Sequence, residues 1–320
     1  MTQSASGGVA PSLTGEALVA AVPELARAAR ITCLSFRQLP GAHLQFPDIE
    51  ALAQKVRELS ASHCGVVITQ GTDTIEETAF ALDCLLDIET PVIVTGAMRN
   101  PTMSGADGPA NLLAAVQTAV APAARGLGCL VVFNDEVHAA RFVRKTHTAS
   151  TAAFCSPNAG ALGWVSEGIF NVLTVPAFRN PLAFSGTASD ARVARLTIGL
   201  GDDAEIVRCV LDRHYDGLIV DATGAGHVNP SVADALEEAA NHIPVVLASR
   251  TGAGPILTAT YGFIGSEIDL QRRGLIRAGW LDGTKSKVLL TLLLRHGRKQ
   301  LSSIAAAFEP WGGGCTKEPA

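Results

Sequence analysis

The chain has 320 residues, of which 48% are hydrophobic and 17% charged, with a formal net charge of −5 at pH 7. That length allows two domains and a large core, and that composition describes a folded globular protein rather than a disordered one. The acidic balance without any Lys/Arg-rich block excludes nucleic acid as an expected partner, and no apolar run reaches membrane-spanning length.

Seven cysteines are scattered with no CxxC pair, which reads as free thiols in a reducing compartment. No HExxH motif occurs, and His138 and His147 lack a nearby third ligand, so no metal is expected. The polar opening from Thr2 to Gly8 predicts no signal peptide. A cytoplasmic protein is the expectation.

Residues 1–12 are small and polar and predict a mobile loop. A short helix follows, capped near Thr14, with Leu18, Val19 and Val22 as its apolar side. Residues 31–36 read as a short strand. Pro47 and Asp48 open a helix with Ile49, Leu52, Val56 and Leu59 at helical spacing. The run Val66-Val67-Ile68 reads as a buried parallel strand that breaks at Gly71. A helix then carries Ala79, Leu82, Leu85 and Leu86, with Glu76 and Glu77 in its first turn. Val92-Ile93-Val94-Thr95 completes a βαβ unit. The Gly-, Pro- and polar-rich stretch Gly96 to Pro109 predicts a functional loop, and Asn111 to Val120 a further amphipathic helix.

Leu130 to Phe133 is the next buried strand. It leads into Asn134 to Arg141 and Val143 to Thr148, a segment dense in ionisable groups and read as a loop at the same sheet edge. From about residue 170 to 191 the pattern loosens around Pro176, Asn180-Pro181 and Ser185 to Ser189, which predicts a linker. The alternation then restarts: strands at 193–198, 217–220 and 245–247, helices at 204–213 and 231–240, and a last helix at 286–296. Gly224-Ala225-Gly226 is no dinucleotide fingerprint, since the third glycine and the downstream acid are missing. The stretch after Pro310 is a low-complexity glycine tail. The fold class expected is α/β: a large N-terminal parallel-sheet domain (1–175), a linker (176–191) and a smaller C-terminal parallel α/β domain (192–320).

Open α/β sheets bind ligands at the carboxyl ends of their strands. Thr72 and Asp73 stand at such an end, and a hydroxyl beside a carboxylate there suits a nucleophile or a held water as well as a helix cap. Lys145, in the ionisable segment, is a group able to activate that hydroxyl. His138 and His147 read as structural hydrogen-bonders.

Thr69 to Thr78, Gly96-Ala97-Met98-Arg99, Ser104 to Pro109, Asn134-Asp135-Glu136, His138 to Arg141 and Lys145 to Thr148, in this order, closely resemble the bacterial L-asparaginases of the asparaginase/glutaminase family. The resemblance runs from about residue 13 to the end. It implies hydrolysis of L-asparagine to L-aspartate and ammonia through a threonine acyl-enzyme, with no metal or organic cofactor, in a homotetramer or homodimer. In that family an N-terminal threonine attacks the amide and a second Thr-Asp-Lys set activates or supports the reaction; carried over by motif, that second set is Thr72, Asp73 and Lys145, the catalytic residues expected here. Asp73 would also hold the substrate's α-amino group, Gly71 would leave room at the loop, and the backbone at Ala97 would lie beside the developing oxyanion.

The departures carry expectations of their own. The family begins with a strand and a glycine-rich threonine loop that bears the usual nucleophile. Nothing here matches it, and Met1-Thr2-Gln3-Ser4 resembles the segment just after it. The expectation is that Met1 is internal to a longer natural protein whose opening strand is missing here. Where the family often has a serine and a glutamine for the substrate carboxylate, this chain has Gly41 and Ala42, with His43 or Gln38 as substitutes. The small-domain asparagine is matched by His227, and Glu267 is matched to a glutamate that completes a neighbouring subunit's site. The rival expectations are an amino-acid-binding protein without turnover, and a glutaminase or other amidase.

Overall fold

The computed structural model describes residues 13–182 and 188–314, with the backbone of residues 2–3 and 9–10. Two compact units divide between Ala183 and Phe184. The predicted linker falls partly on residues 183–187, outside the described ones. So does most of the predicted mobile opening, of which Thr2–Gln3 (β1) and Val9–Ala10 (β2) are described as an antiparallel pair.

In the first unit, Gly15–Ala20 (α1) is capped by the Thr14 side chain, which accepts from the Ala17 N–H. Leu25–Ala28 (α2) follows. Residues 31–36, predicted as a strand, run as irregular chain and pair with no strand among the described residues. Alternating apolar residues make a strand only where a neighbouring edge supplies ladder bonds. Phe46–Ser60 (α3), Val66–Thr69 (β3), Ile75–Leu85 (α4), Val92–Thr95 (β4), Gly108–Val120 (α5) and Cys129–Phe133 (β5) then alternate as the apolar spacing predicts.

Strands β3, β4 and β5 are parallel, with Thr69 opposite Thr95. Helix α5 packs along β3 to β5, and α4 along β4 and β5. Ile93, Leu130 and Val132 join Ala114, Ala115 and Ala119 in one buried cluster. Strand β3, expected to be buried, is half-exposed because it is the outermost strand of the described sheet. Nor is the sheet parallel throughout. Asn134 and Asp135, at φ 51° and 62°, form a tight turn that sends Glu136–Ala139 (β6) back antiparallel to β5. The ionisable segment expected as a loop is therefore a hairpin. The short Arg144–Lys145 (β7) and Phe154–Cys155 (β8) pair next, and Gly163–Ser166 (β9) and Ile169–Val172 (β10) complete the antiparallel end, giving the order β10-β9-β6-β5-β4-β3. Strand β10 lies where the linker was expected to begin.

The second unit is a four-stranded parallel sheet: Val193–Thr197 (β11), Gly217–Ala222 (β12), Val245–Ser249 (β13) and Ile276–Arg277 (β14), in that order. Glu205–Asp212 (α6) and Pro230–Ala240 (α7) pack together, and Gly283–Arg295 (α9) lies across β11 to β13. Glu267–Arg272 (α8) and Leu301–Phe308 (α10) extend the unit beyond the elements predicted. Part of the glycine tail is ordered too, since Arg277 donates to the carbonyls of Gly312 and Gly313.

Two buried polar sites brace the first unit. Asp83 in α4 lies 3.0 Å from the Arg141 guanidinium and accepts from the Cys129 N–H at 3.0 Å, both side chains being buried. Arg141 also donates to the Phe178 carbonyl. His138 in β6 is fully buried, its Nδ1 3.0 Å from the Ser156 hydroxyl and its Nε2 3.2 Å from Glu136. The structural role expected for His138 agrees with this burial.

Asp83→Ala would strand the Arg141 charge in the interior, so urea titration should show a loss of about 3 kcal/mol or more. Burial holds the His138 imidazole below its usual value, outweighing the pull of Glu136. An unfolded histidine titrates near 6.5, so the stabilisation from neutral His138 is present above that pH. It is lost as the pH falls from there through the depressed folded value. Stability measured between pH 7 and 5 should drop by up to about 1.4 kcal/mol per unit from this one proton, and the slope should flatten in His138→Gln.

Candidate active site

The carboxyl ends of β3, β4 and β5 come to one edge, because their parallel registers keep the strand ends level. After β3 the chain cannot continue the ladder. It turns through Gln70 and Gly71 into a single 3-10 turn, Thr72–Thr74, that feeds α4. Gln70 Nε2 donates to the Thr74 hydroxyl at 3.1 Å, and that hydroxyl donates to the Gly41 carbonyl at 2.8 Å. A Cβ on Gly41 would stand 2.7 Å from the Gly71 carbonyl oxygen. Gly41 is thus a close-packing point between two loops. The serine its position was compared with has no room unless the backbone shifts.

Thr72 does not cap α4. Its hydroxyl instead accepts from Lys145 Nζ at 2.8 Å, and the same ammonium lies 3.0 Å from Asp73 Oδ1. Lys145 arrives in β7, held against Phe154 in β8, whose ring stacks on Phe133 at a centroid distance of 4.3 Å. The lysine is mostly buried, with 15% of its side chain exposed, while Asp73 is 61% exposed. A sheltered cation holding a hydroxyl, beside an open carboxylate, provides a nucleophile, a proton carrier and an anchor for an ammonium group. Among the described residues no group of three or more His, Cys, Asp or Glu side chains could hold a metal ion.

Ala97 is exposed in the loop that follows β4. Asp107 accepts from the N–H groups of Met98 and Arg99, both at 2.9 Å. Asn111 donates to the Gly96 carbonyl at 3.0 Å. Neither Asp107 nor Asn111 was singled out in the sequence. The available signal was an asparagine in the first turn of a helix whose other residues are almost all apolar. His43 is exposed in the 3-10 turn Gly41–His43, as is Gln38 before it, and Ala42 is likewise exposed. His147 accepts the N–H groups of Ala149 and Ser150, which gives it the structural role expected.

The second unit brings His227 and Glu267 together at 3.2 Å. Tyr261 and Phe263 stand edge-on to the imidazole, with centroids 4.8 and 5.1 Å away. Glu267 is fully buried within its unit and accepts from the Thr260 and Tyr261 N–H groups at 2.8 and 2.7 Å, which fixes the carboxylate and the loop before α8 together. Burial raises the carboxyl's pKa, but those N–H donors and His227 outweigh it and hold the group below its ordinary value.

Two family models match: "Asparaginase, N-terminal" over residues 1–177 and "Glutaminase/Asparaginase C-terminal domain" over residues 192–308. The chain is 38% identical to a probable L-asparaginase of Deinococcus radiodurans, across 81% of this chain and 80% of that protein. It is 34% identical to L-asparaginase 2 of Escherichia coli, across 87% of this chain and 80% of that protein. The crystal structure of a probable cytoplasmic L-asparaginase from Campylobacter jejuni superposes with a TM-score of 0.84 at 31% identity, covering 92% of this chain and 93% of that one. With both halves matched in order by the family's two domains, the chain belongs to the asparaginase/glutaminase family.

Proposed function

We infer that this chain hydrolyses the side-chain amide of L-asparagine, giving L-aspartate and ammonia through a threonine ester. The observation that carries the site assignment is the contact of Lys145 Nζ with Thr72 Oγ1 at 2.8 Å and Asp73 Oδ1 at 3.0 Å. In the first half-reaction, the family's glycine-rich threonine loop having no match in these residues, the Thr72 oxygen forms a bond to the amide carbon and its proton is passed on through Lys145. The same proton moves on to the amide nitrogen as the C–N bond breaks and ammonia leaves. Water then attacks the ester, gives a proton back to the threonine oxygen, and releases aspartate. Asp73 receives the substrate's α-ammonium, the Ala97 backbone faces the carbonyl oxygen as it gains charge, and Gly71 gives the substrate room.

His43, beside the side-chain-free Gly41, is assigned to the substrate carboxylate, and His227 to the substrate-binding surface of the second unit. In the same reading the chain works as a homo-oligomer, a tetramer built from dimers or a dimer, in the cytoplasm. The name of the Campylobacter relative agrees with that location, while a Haemophilus influenzae relative at 33% identity carries the name of a periplasmic enzyme.

Ammonia release from L-asparagine and L-glutamine tests the reading. The wild-type chain should release ammonia from L-asparagine, and Thr72→Ala or Lys145→Met should reduce the rate at least about 100-fold with an unchanged far-UV circular dichroism spectrum. A silent wild type points to a binding protein, release from L-glutamine alone points to a glutaminase, and full activity in either variant removes Thr72 and Lys145 from the chemistry.

A further inference from the structure

The loop after β4 is held by a side chain that lies outside it. Asn111 sits in the first turn of α5 and is 2% exposed. Its Nδ2 donates to the Gly96 carbonyl and to Asp107 Oδ2, both at 3.0 Å, and its Oδ1 accepts from the Asn134 N–H at 3.0 Å. Both amide hydrogens and the amide oxygen are therefore used. Asp107, oriented by Asn111, holds the N–H groups of Met98 and Arg99. The backbone is thus gripped on both sides of Ala97, at 96 and at 98–99. Gly96 passes so close to the Gln70 carbonyl that a Cβ there would fall 2.4 Å from its oxygen. The Gln70 N–H donates to the Thr95 carbonyl at 3.0 Å, which ties the start of the loop to the segment carrying Thr72. The bond to Asn134 ties it to the turn that begins β6, on the path to Lys145.

We propose that Asn111 is a positioning residue for the amide hydrolysis, acting through Gly96 and Asp107 to aim the Ala97 backbone at the developing oxyanion. This rests on the reading of the strand edge as an amidohydrolase site. The physical reason is that a donor aimed at an oxyanion acts only if it is already oriented when the charge develops. A loop beyond a strand end has no ladder to orient it, so a buried amide with every hydrogen-bonding group committed takes that part. Asn111 makes no contribution to ground-state substrate binding in this scheme, which separates its effect on kcat from any on KM.

The test is Asn111→Asp, which keeps the size and the oxygen facing Asn134 but removes both donors and sets a second carboxylate against Asp107. Two measurements are made on wild type and variant: kcat and KM for L-asparagine, and amide hydrogen exchange. Losing one oxyanion donor costs about 100- to 1,000-fold, so loosening its support should lower kcat by at least about tenfold, with KM within about twofold. Exchange should quicken at 96–99 and at 134–135 and stay unchanged in α4. Unchanged kcat in an active protein, or exchange that quickens uniformly, overturns the proposal. If wild type hydrolyses no amide, the amidohydrolase reading fails by itself. The exchange experiment then still decides whether Asn111 holds the loop. If Asn111→Asp does not fold, Asn111→Ser replaces it, and unfolding of both overturns the positioning role in favour of a purely structural one.

Discussion

Backbone groups that run off the end of a parallel strand lose their ladder partners but not their need for partners, and the first unit is arranged around that constraint. At the edge formed by β3, β4 and β5, side chains take over from the ladder. The Thr74 hydroxyl meets the Gly41 carbonyl, Asp107 takes two N–H groups of the loop after β4, and Asn111 reaches both Gly96 and Asn134. Because each of these side chains sits on a helix or a short turn packed against the sheet, loop geometry is set by the packed core. Thr72 and Asp73 are then presented at a defined height, and Lys145 is brought to them from 73 residues away along the chain. The contact of Lys145 with Thr72 is a consequence of the strand-end bonding around it.

The charges are placed accordingly. Lys145 is sheltered, and its contacts with the Thr72 hydroxyl and Asp73 are stronger for being partly removed from water. Asp73 is open enough to meet a ligand. Away from the edge, buried charged groups among the described residues have partners. Asp83 and Arg141 pair between α4 and the end of β6, and Arg179 donates to the carbonyls of Leu86 and Ile88, which secures the chain beyond β10. In the second unit Asp221 is buried at the end of β12, where burial raises its carboxyl pKa against the opposing pull of Arg195 at 2.6 Å. Glu267 stays ionised by drawing on two backbone N–H donors.

The sequence alone determined the βαβ order of the first unit, the parallel β11-β12-β13 core of the second, and the Thr72–Asp73–Lys145 set. Apolar runs of β-branched residues between helical spacings have few alternatives, and the polar motifs at the strand ends are long and specific. Tertiary structure decided what depends on neighbours. Whether residues 31–36 form a strand depends on an adjacent edge. Whether Glu136–Ala139 is loop or strand depends on two residues with positive φ and on the β5 edge beside them, neither of which composition reveals. That Gly41 packs too tightly on Gly71 for a side chain is a matter of distance between segments remote in sequence. Asn111 is the clearest instance. As a letter in the sequence it is the start of a helix, and only the approach of two loops to its amide gives it bonds to Gly96 and Asn134.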